Sequence, residues 1–177
     1  GAIAETRAVA VTLGGDGAIA LPEMRALHRV YPDLVTIHID AHTDAYPIEG
    51  YNTATAFGRA AEEGLVDATR SYQIGMRGTT MLPGVGEYGR SLGYNVIPLA
   101  ELLERGIAKV FAEIRAHIGD RPVYLSYDMD FFDPSVAPGV CTPTWGGAGV
   151  LFTLIQKDES SSLARSRVRR PSARSRR

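Results

Sequence analysis

Short apolar runs rich in β-branched residues alternate along this chain with segments whose apolar positions recur every three or four residues. That alternation predicts strands interleaved with helices. Ala8-Val9-Ala10-Val11-Thr12-Leu13, closed by Gly14-Gly15-Asp16-Gly17, predicts a buried strand followed by a tight turn. Leu21, Met24, Leu27, His28 and Val30 then fall near helical spacing; Pro22 suits a first turn and Tyr31-Pro32-Asp33 ends it. Further strands are predicted over 34–39, 71–76, 94–97 and 122–127, with helices over 54–64, over 85–92 and from Leu99 onward. Gly106 interrupts that last helix before Ile107, Val110, Phe111 and Ile114, which share one face of the clearest amphipathic helix in the chain.

Strands and helices in this order imply βαβ units and a mostly parallel sheet covered on both faces, an α/β fold of three layers, αβα. Sites in such folds form beyond the carboxyl ends of the strands. Acidic residues follow predicted strands at Asp16, at Asp40 to Asp44 and at Asp128 to Asp133, which points to one shared site.

Composition narrows the class. The 177 residues are 45% hydrophobic, ordinary for a globular protein. One cysteine, Cys141, excludes a disulfide within the chain and fits a reducing compartment. No run reaches the ~18 apolar residues of a membrane span, and Gly1-Ala2-Ile3-Ala4-Glu5 lacks the features of a signal peptide, so a cytoplasmic protein with no membrane partner is expected. The net charge of −1 conceals an asymmetry: residues 1–150 hold 11 basic against 18 acidic residues, whereas 165–177 hold seven arginines and no acid.

The acidic residues carry the chemistry. Alternate side chains of an extended segment share a face, so Asp40, His42 and Asp44 can converge, and Asp128 with Asp130 repeats the spacing. Two carboxylates about 4 Å apart repel by roughly 4 kcal/mol at an effective dielectric near 20, so four together take up protons unless cations separate them. Two divalent ions would cancel the charge. Thiolate-free, carboxylate-rich coordination suits manganese or magnesium, and the imidazole tilts the choice toward manganese or nickel. A water bridging such a pair becomes a hydroxide near neutral pH.

Ile39-Asp40-Ala41-His42-Thr43-Asp44 resembles one signature of the ureohydrolases, the arginase and agmatinase family. A second is matched by Ser126-Tyr127-Asp128-Met129-Asp130-Phe131-Phe132-Asp133-Pro134, continued by Ala137-Pro138-Gly139, Thr142-Pro143 and Gly146-Gly147. The resemblance, strongest to the agmatinase-like branch, implies an arginase-like fold and hydrolysis of a guanidino or amidino C–N bond of a small guanidino compound, releasing urea. It implies a binuclear Mn2+ centre, with Ni2+ as an alternative, in which Asp40 and Asp128 bridge both ions. Asp44 completes one site and His42 with Asp130 the other. Asp44 is also the implied catalytic residue, accepting a hydrogen bond from the bridging hydroxide. The family's usual trimers or hexamers are the implied assembly.

The pattern is broken in two places. Where family members carry Gly-Gly-Asp-His, this chain has Gly14-Gly15-Asp16-Gly17, so the site completed by Asp44 is expected to be weakened. The later His-Gly-Thr of agmatinase-like enzymes is replaced by Thr53-Ala54-Thr55, leaving Asn52 and Thr53 as expected substrate contacts. These changes motivate an alternative, a catalytically impaired or non-catalytic subunit of the same fold, paired with an active homologous chain. His38 is expected to be a satisfied core residue, and His28 and His117 surface or boundary residues. Residues 1–150 are expected to form a partial domain truncated at both ends. Residues 151–177, rich in serine and arginine, are expected to be disordered or the product of a frameshift. A nucleic-acid arm is the competing reading of that block, and no nucleic-acid partner is expected from the rest.

Overall fold

The computed structural model describes residues 2–6 and 8–149. The chain divides into two units, Gly1–Gly147 and Ala148–Arg177; of the second only Ala148 and Gly149 are described, so the expectations for 151–177 lie outside the described residues. After a short helix α1 (Ala2–Glu5), the first unit runs α2 (Ala20–His28), β1 (Val35–Ile39), α3 (Ala56–Glu62), β2 (Tyr72–Met76), α4 (Val85–Ser91), β3 (Asn95–Pro98), α5 (Leu99–Arg105), α6 (Ile107–Ile118) and β4 (Val123–Tyr127). The strands form one parallel sheet in the order β3-β2-β1-β4. That is the α/β class expected from the alternation of periods.

One layer packs α2 and α3 on the sheet through Leu21, Met24, Phe57 and Ala60, joined by Val96 of β3 and by Tyr94, whose hydroxyl donates to the Phe57 carbonyl at 2.9 Å. Opposite, α5 and α6 bury Leu102, Val110, Ile114 and Ile118. Gly106 separates these two helices at φ 84, a left-handed conformation that an alanine would resist. β1 lies between two strands and is buried along nearly its whole length.

One expected element is absent. Residues 8–13 form no strand, and Val9, Val11 and Leu13 are 92%, 83% and 95% exposed. β-branched composition favours a strand only where a neighbour supplies a ladder and a surface to pack on, and no described strand pairs with this run. β4, at the sheet edge, is covered on one face only: Leu125 is 60% exposed, while Tyr124 donates its hydroxyl to Glu23 of α2 at 2.7 Å.

Candidate metal centre

Parallel pairing of β1 with β4 sets Ile39 opposite Tyr127, so the residues that follow each strand emerge side by side. Asp40 N–H donates to Ile74 of β2 and Asp128 N–H to Ile39 of β1, which carries the ladder one residue beyond the strands. Gly75, at φ 108, lies against the backbone carbonyl of Asp40 and the ring of Phe131; any side chain there would strike both. The chain then turns sharply at Asp44, the one described non-glycine residue with positive φ (47). Its carbonyl accepts from Phe57 N–H at 2.9 Å and Gly58 N–H at 3.3 Å, tying the turn to α3. Asp is among the residues that best tolerate this conformation.

Two groups of ligand-type atoms result, each within 4.8 Å: His38, Asp40 and Asp44, all buried, and Asp40, His42 and Asp130. Asp40 belongs to both. Its Oδ1 accepts from His42 N–H at 2.6 Å and lies 3.3 Å from His42 Nδ1, while Oδ2 meets His38 Nε2 at 2.8 Å. His42 Nδ1 also lies 3.0 Å from Asp130 Oδ2. Asp130 is further held by Ala41 N–H at 3.2 Å and by the Thr142 hydroxyl at 2.9 Å.

The electrostatics are those of crowded acids. Burial, with Asp40 beside it, pushes Asp44 up to about 8. Burial works against ionised Asp40 as well, yet the His38 ring and His42 hold it below the usual carboxylate range. The hydrogen bond to Asp130, then that to Asp40, raises His42 to about 10. Carboxylates and an imidazole without thiolates, buried and converging, are the donor set of a hard or borderline divalent cation, and the residues present fit such an ion.

The structure thus brings Asp40, His42, Asp44 and Asp130 together. Asp128 lies beside them but outside both groups: half-buried at the end of β4, it turns Oδ1 to the Asp130 N–H at 2.8 Å, and burial with nearby Asp40 raises its pKa. Asp16 is exposed and does not join the cluster. It caps a short 3-10 turn through Ala18 N–H at 2.7 Å and accepts the Thr53 hydroxyl at 2.6 Å. Asn52 is exposed, its N–H donating to Thr55 Oγ1 at 3.1 Å at the start of the turn leading into α3. A Cβ on Gly17 would lie 3.2 Å from Thr53 Oγ1 and 3.3 Å from Asp44 Oδ2, so a side chain at position 17 would enter the site beside Asp44.

Three contributors escaped the sequence reading. His38 is not a satisfied core residue: it is buried against the site, with Nδ1 lacking a partner among the described residues. Alternation on β1, the argument used for Asp40 and His42, already places it on their side. Thr142 braces Asp130. Arg77 follows β2 and donates from Nη2 to the carbonyls of Asp130 (2.7 Å), Phe132 (3.1 Å) and Thr144 (2.8 Å), clamping the two loops that frame the site. Cys141 is exposed, as is His117, which meets the Tyr72 hydroxyl; His28 is half-buried, its Nδ1 2.9 Å from the Leu65 carbonyl. Among the described residues no helix is long and apolar enough to cross a membrane.

Residues 1–153 match the arginase family. The chain is 41% identical over 141 residues to the guanidinopropionase of Pseudomonas aeruginosa, covering 77% of this chain and 44% of that protein. It is 39% identical over 138 residues to the agmatinase of Edwardsiella ictaluri, covering 77% and 43%. Among solved structures, the arginase of Bacillus cereus aligns with a TM-score of 0.80 at 25% identity, over 92% of this chain and 62% of that one. The chain therefore spans less than half the length of these two sequence relatives.

Proposed function

Because the chain belongs to the arginase family, we propose that it carries the metal-binding part of an agmatinase-like amidinohydrolase, splitting an amidino C–N bond of a small guanidino compound with water to give urea and an amine. The observation that carries this reading is Asp40, the residue common to both ligand groups. A carboxylate shared between two clusters can hold two cations side by side.

The proposed cofactor is a pair of Mn2+ ions, with Ni2+ as the alternative. Asp40 and Asp128 would be shared ligands, Asp44 would hold one ion, and His42 with Asp130 the other. Such ions, when bound, supply a Lewis acid and an acidified water. The protein groups do the rest. Asp44 would take the proton of the attacking water and return it to the departing amine. Thr53, which a Cβ on Gly17 would approach to 3.2 Å, and its chain neighbour Asn52 are the proposed substrate contacts.

Residues 1–150 form the proposed ureohydrolase part and 151–177 an atypical tail rich in serine and arginine, on the ground of their composition. A homo-oligomer, trimer or hexamer, and a cytoplasmic location are proposed on family grounds. The relatives named above are enzymes, which leaves the alternative of a non-catalytic subunit without support among them. Urea release from agmatine, guanidinopropionate, guanidinobutyrate and guanidine, measured with Mn2+ or Ni2+, tests the proposal. One of them should yield urea, and Asp40→Asn should abolish it; no urea from any substrate by the metal-loaded chain contradicts the proposal.

A further inference from the structure

His38 stands where a ligand could be counted, and its geometry argues for a different task. The ring is 1% exposed and stacks on Phe57 with centroids 3.9 Å apart and planes 16° from parallel. That stack fixes the plane of the imidazole. Nε2 lies 2.8 Å from Asp40 Oδ2, whereas Nδ1 is buried with no partner among the described residues.

The partner of Nε2 is a carboxylate oxygen, which accepts, so Nε2 carries the proton and donates it. Ligation through Nε2 would forfeit this bond and leave Nδ1 as the only position for the proton of a neutral ring. A buried N–H without an acceptor costs about 1–3 kcal/mol. The same geometry leaves Asp40 held at both oxygens, Oδ1 by the His42 N–H at 2.6 Å and Oδ2 by His38. A carboxylate oxygen can accept twice, so Oδ2 keeps one acceptor site besides the His38 bond, while Oδ1, with His42 N–H at 2.6 Å and Nδ1 at 3.3 Å, faces His42.

Resting on the metal-centre reading above, we infer that His38 is a positioning residue and not itself a ligand: its Nε2–H fixes the carboxylate of Asp40 at Oδ2 and so keeps Oδ1 turned toward His42. Phe57, by stacking on the ring, holds the direction of that hydrogen bond. Groups that orient a metal ligand in this way change metal affinity by about 10–100-fold when removed.

Two substitutions separate the hydrogen bond from the packing. His38→Phe keeps an aromatic ring against Phe57 and removes the donor; His38→Gln replaces the ring but can return an N–H near the place of Nε2. Mn2+ affinity of the 177-residue chain is followed by the electron paramagnetic resonance signal of free Mn2+. The expected result is a loss of about 10–100-fold in H38F and recovery toward wild type in H38Q. Wild-type affinity in H38F, or an equal loss in both variants, would overturn the inference while leaving the metal centre intact. Wild-type protein that takes up no Mn2+ would overturn the metal reading and this one with it. Should H38F fail to fold, long-range 1H–15N correlation spectra of the wild-type histidines under Mg2+ saturation decide: a retained His38 Nε2–H supports positioning, and its loss shows direct ligation and overturns it.

Discussion

Replacing Asp44 by asparagine should stabilise the metal-free protein at alkaline pH and weaken its response to metal. The ligand atoms of Asp44 and Asp40 lie within 4.8 Å, both residues being nearly inaccessible to water. Two unit charges at that separation repel by about 3 kcal/mol at an effective dielectric near 20. The sign follows from the direction of the shift. Asp44 has a folded-state pKa of about 8 against an ordinary 3.8, so its contribution to stability is complete below 3.8 and is lost as pH rises through about 8. His42, raised to about 10 chiefly by Asp130, adds a loss in the same direction from 6.5 upward, and it does so in wild type and variant alike. In EDTA at pH 9, Asp44→Asn should therefore unfold about 6–12 °C above wild type, at about 2–4 °C per kcal/mol for a chain of this size. The advantage should shrink toward pH 5, where the folded carboxyl is already protonated. With Mn2+ at pH 7.5 the order reverses in response: wild type gains about 2.7 kcal/mol at a hundredfold excess over its dissociation constant, and the variant gains less. Circular dichroism melts at the three conditions suffice. A variant no more stable than wild type at pH 9 in EDTA, or stabilised by Mn2+ as strongly as wild type, would refute the electrostatic account of the site.

The remaining predictions concern its supports. Gly17→His places an imidazole beside Asp44 and should tighten Mn2+ binding by about tenfold or more once Thr53 gives way by a few tenths of an ångström, measured by isothermal titration; unchanged affinity would show that position 17 does not reach the ion. Arg77→Met removes a donor to three carbonyls and should cost about 3 kcal/mol in urea unfolding, with lysine failing to restore it because an ammonium lacks the planar fork. Thr142→Val loses the hydrogen bond to Asp130 and should weaken Mn2+ binding by about tenfold while lowering stability by only ~1 kcal/mol; a large stability loss with intact binding would contradict its assigned role.

The sheet and the acids at its carboxyl end were legible because both depend on local pattern. Strand-like runs placed β1, β2, β3 and β4, and the spacing of Asp40, His42 and Asp44 marked the ligand cluster, although beyond Ile39 the chain bends and turns at Asp44 instead of continuing as an extended segment, so that Asp40 alone is shared between the two groups. His38 obeyed the same alternation but passed for core, since sequence does not show whether a buried imidazole has found both its partners. Arg77 was illegible for another reason. Its role is set by carbonyls 53, 55 and 67 residues away, and no local rule reports on contacts of that range. Residues 8–13 were misread because a strand is a pairwise property: the run has the composition, and the described residues supply no partner. Asp16 followed from that error, its position beyond an expected strand suggesting a site it does not join.

The central claim is that one carboxylate, Asp40, joins two ligand groups into a paired metal centre. Titration of the chain with Mn2+, read by electron paramagnetic resonance, tests it most directly. Uptake of two equivalents with an exchange-coupled signal, lost in Asp40→Asn, is the expected result; uptake of one uncoupled ion, or of none, would contradict it.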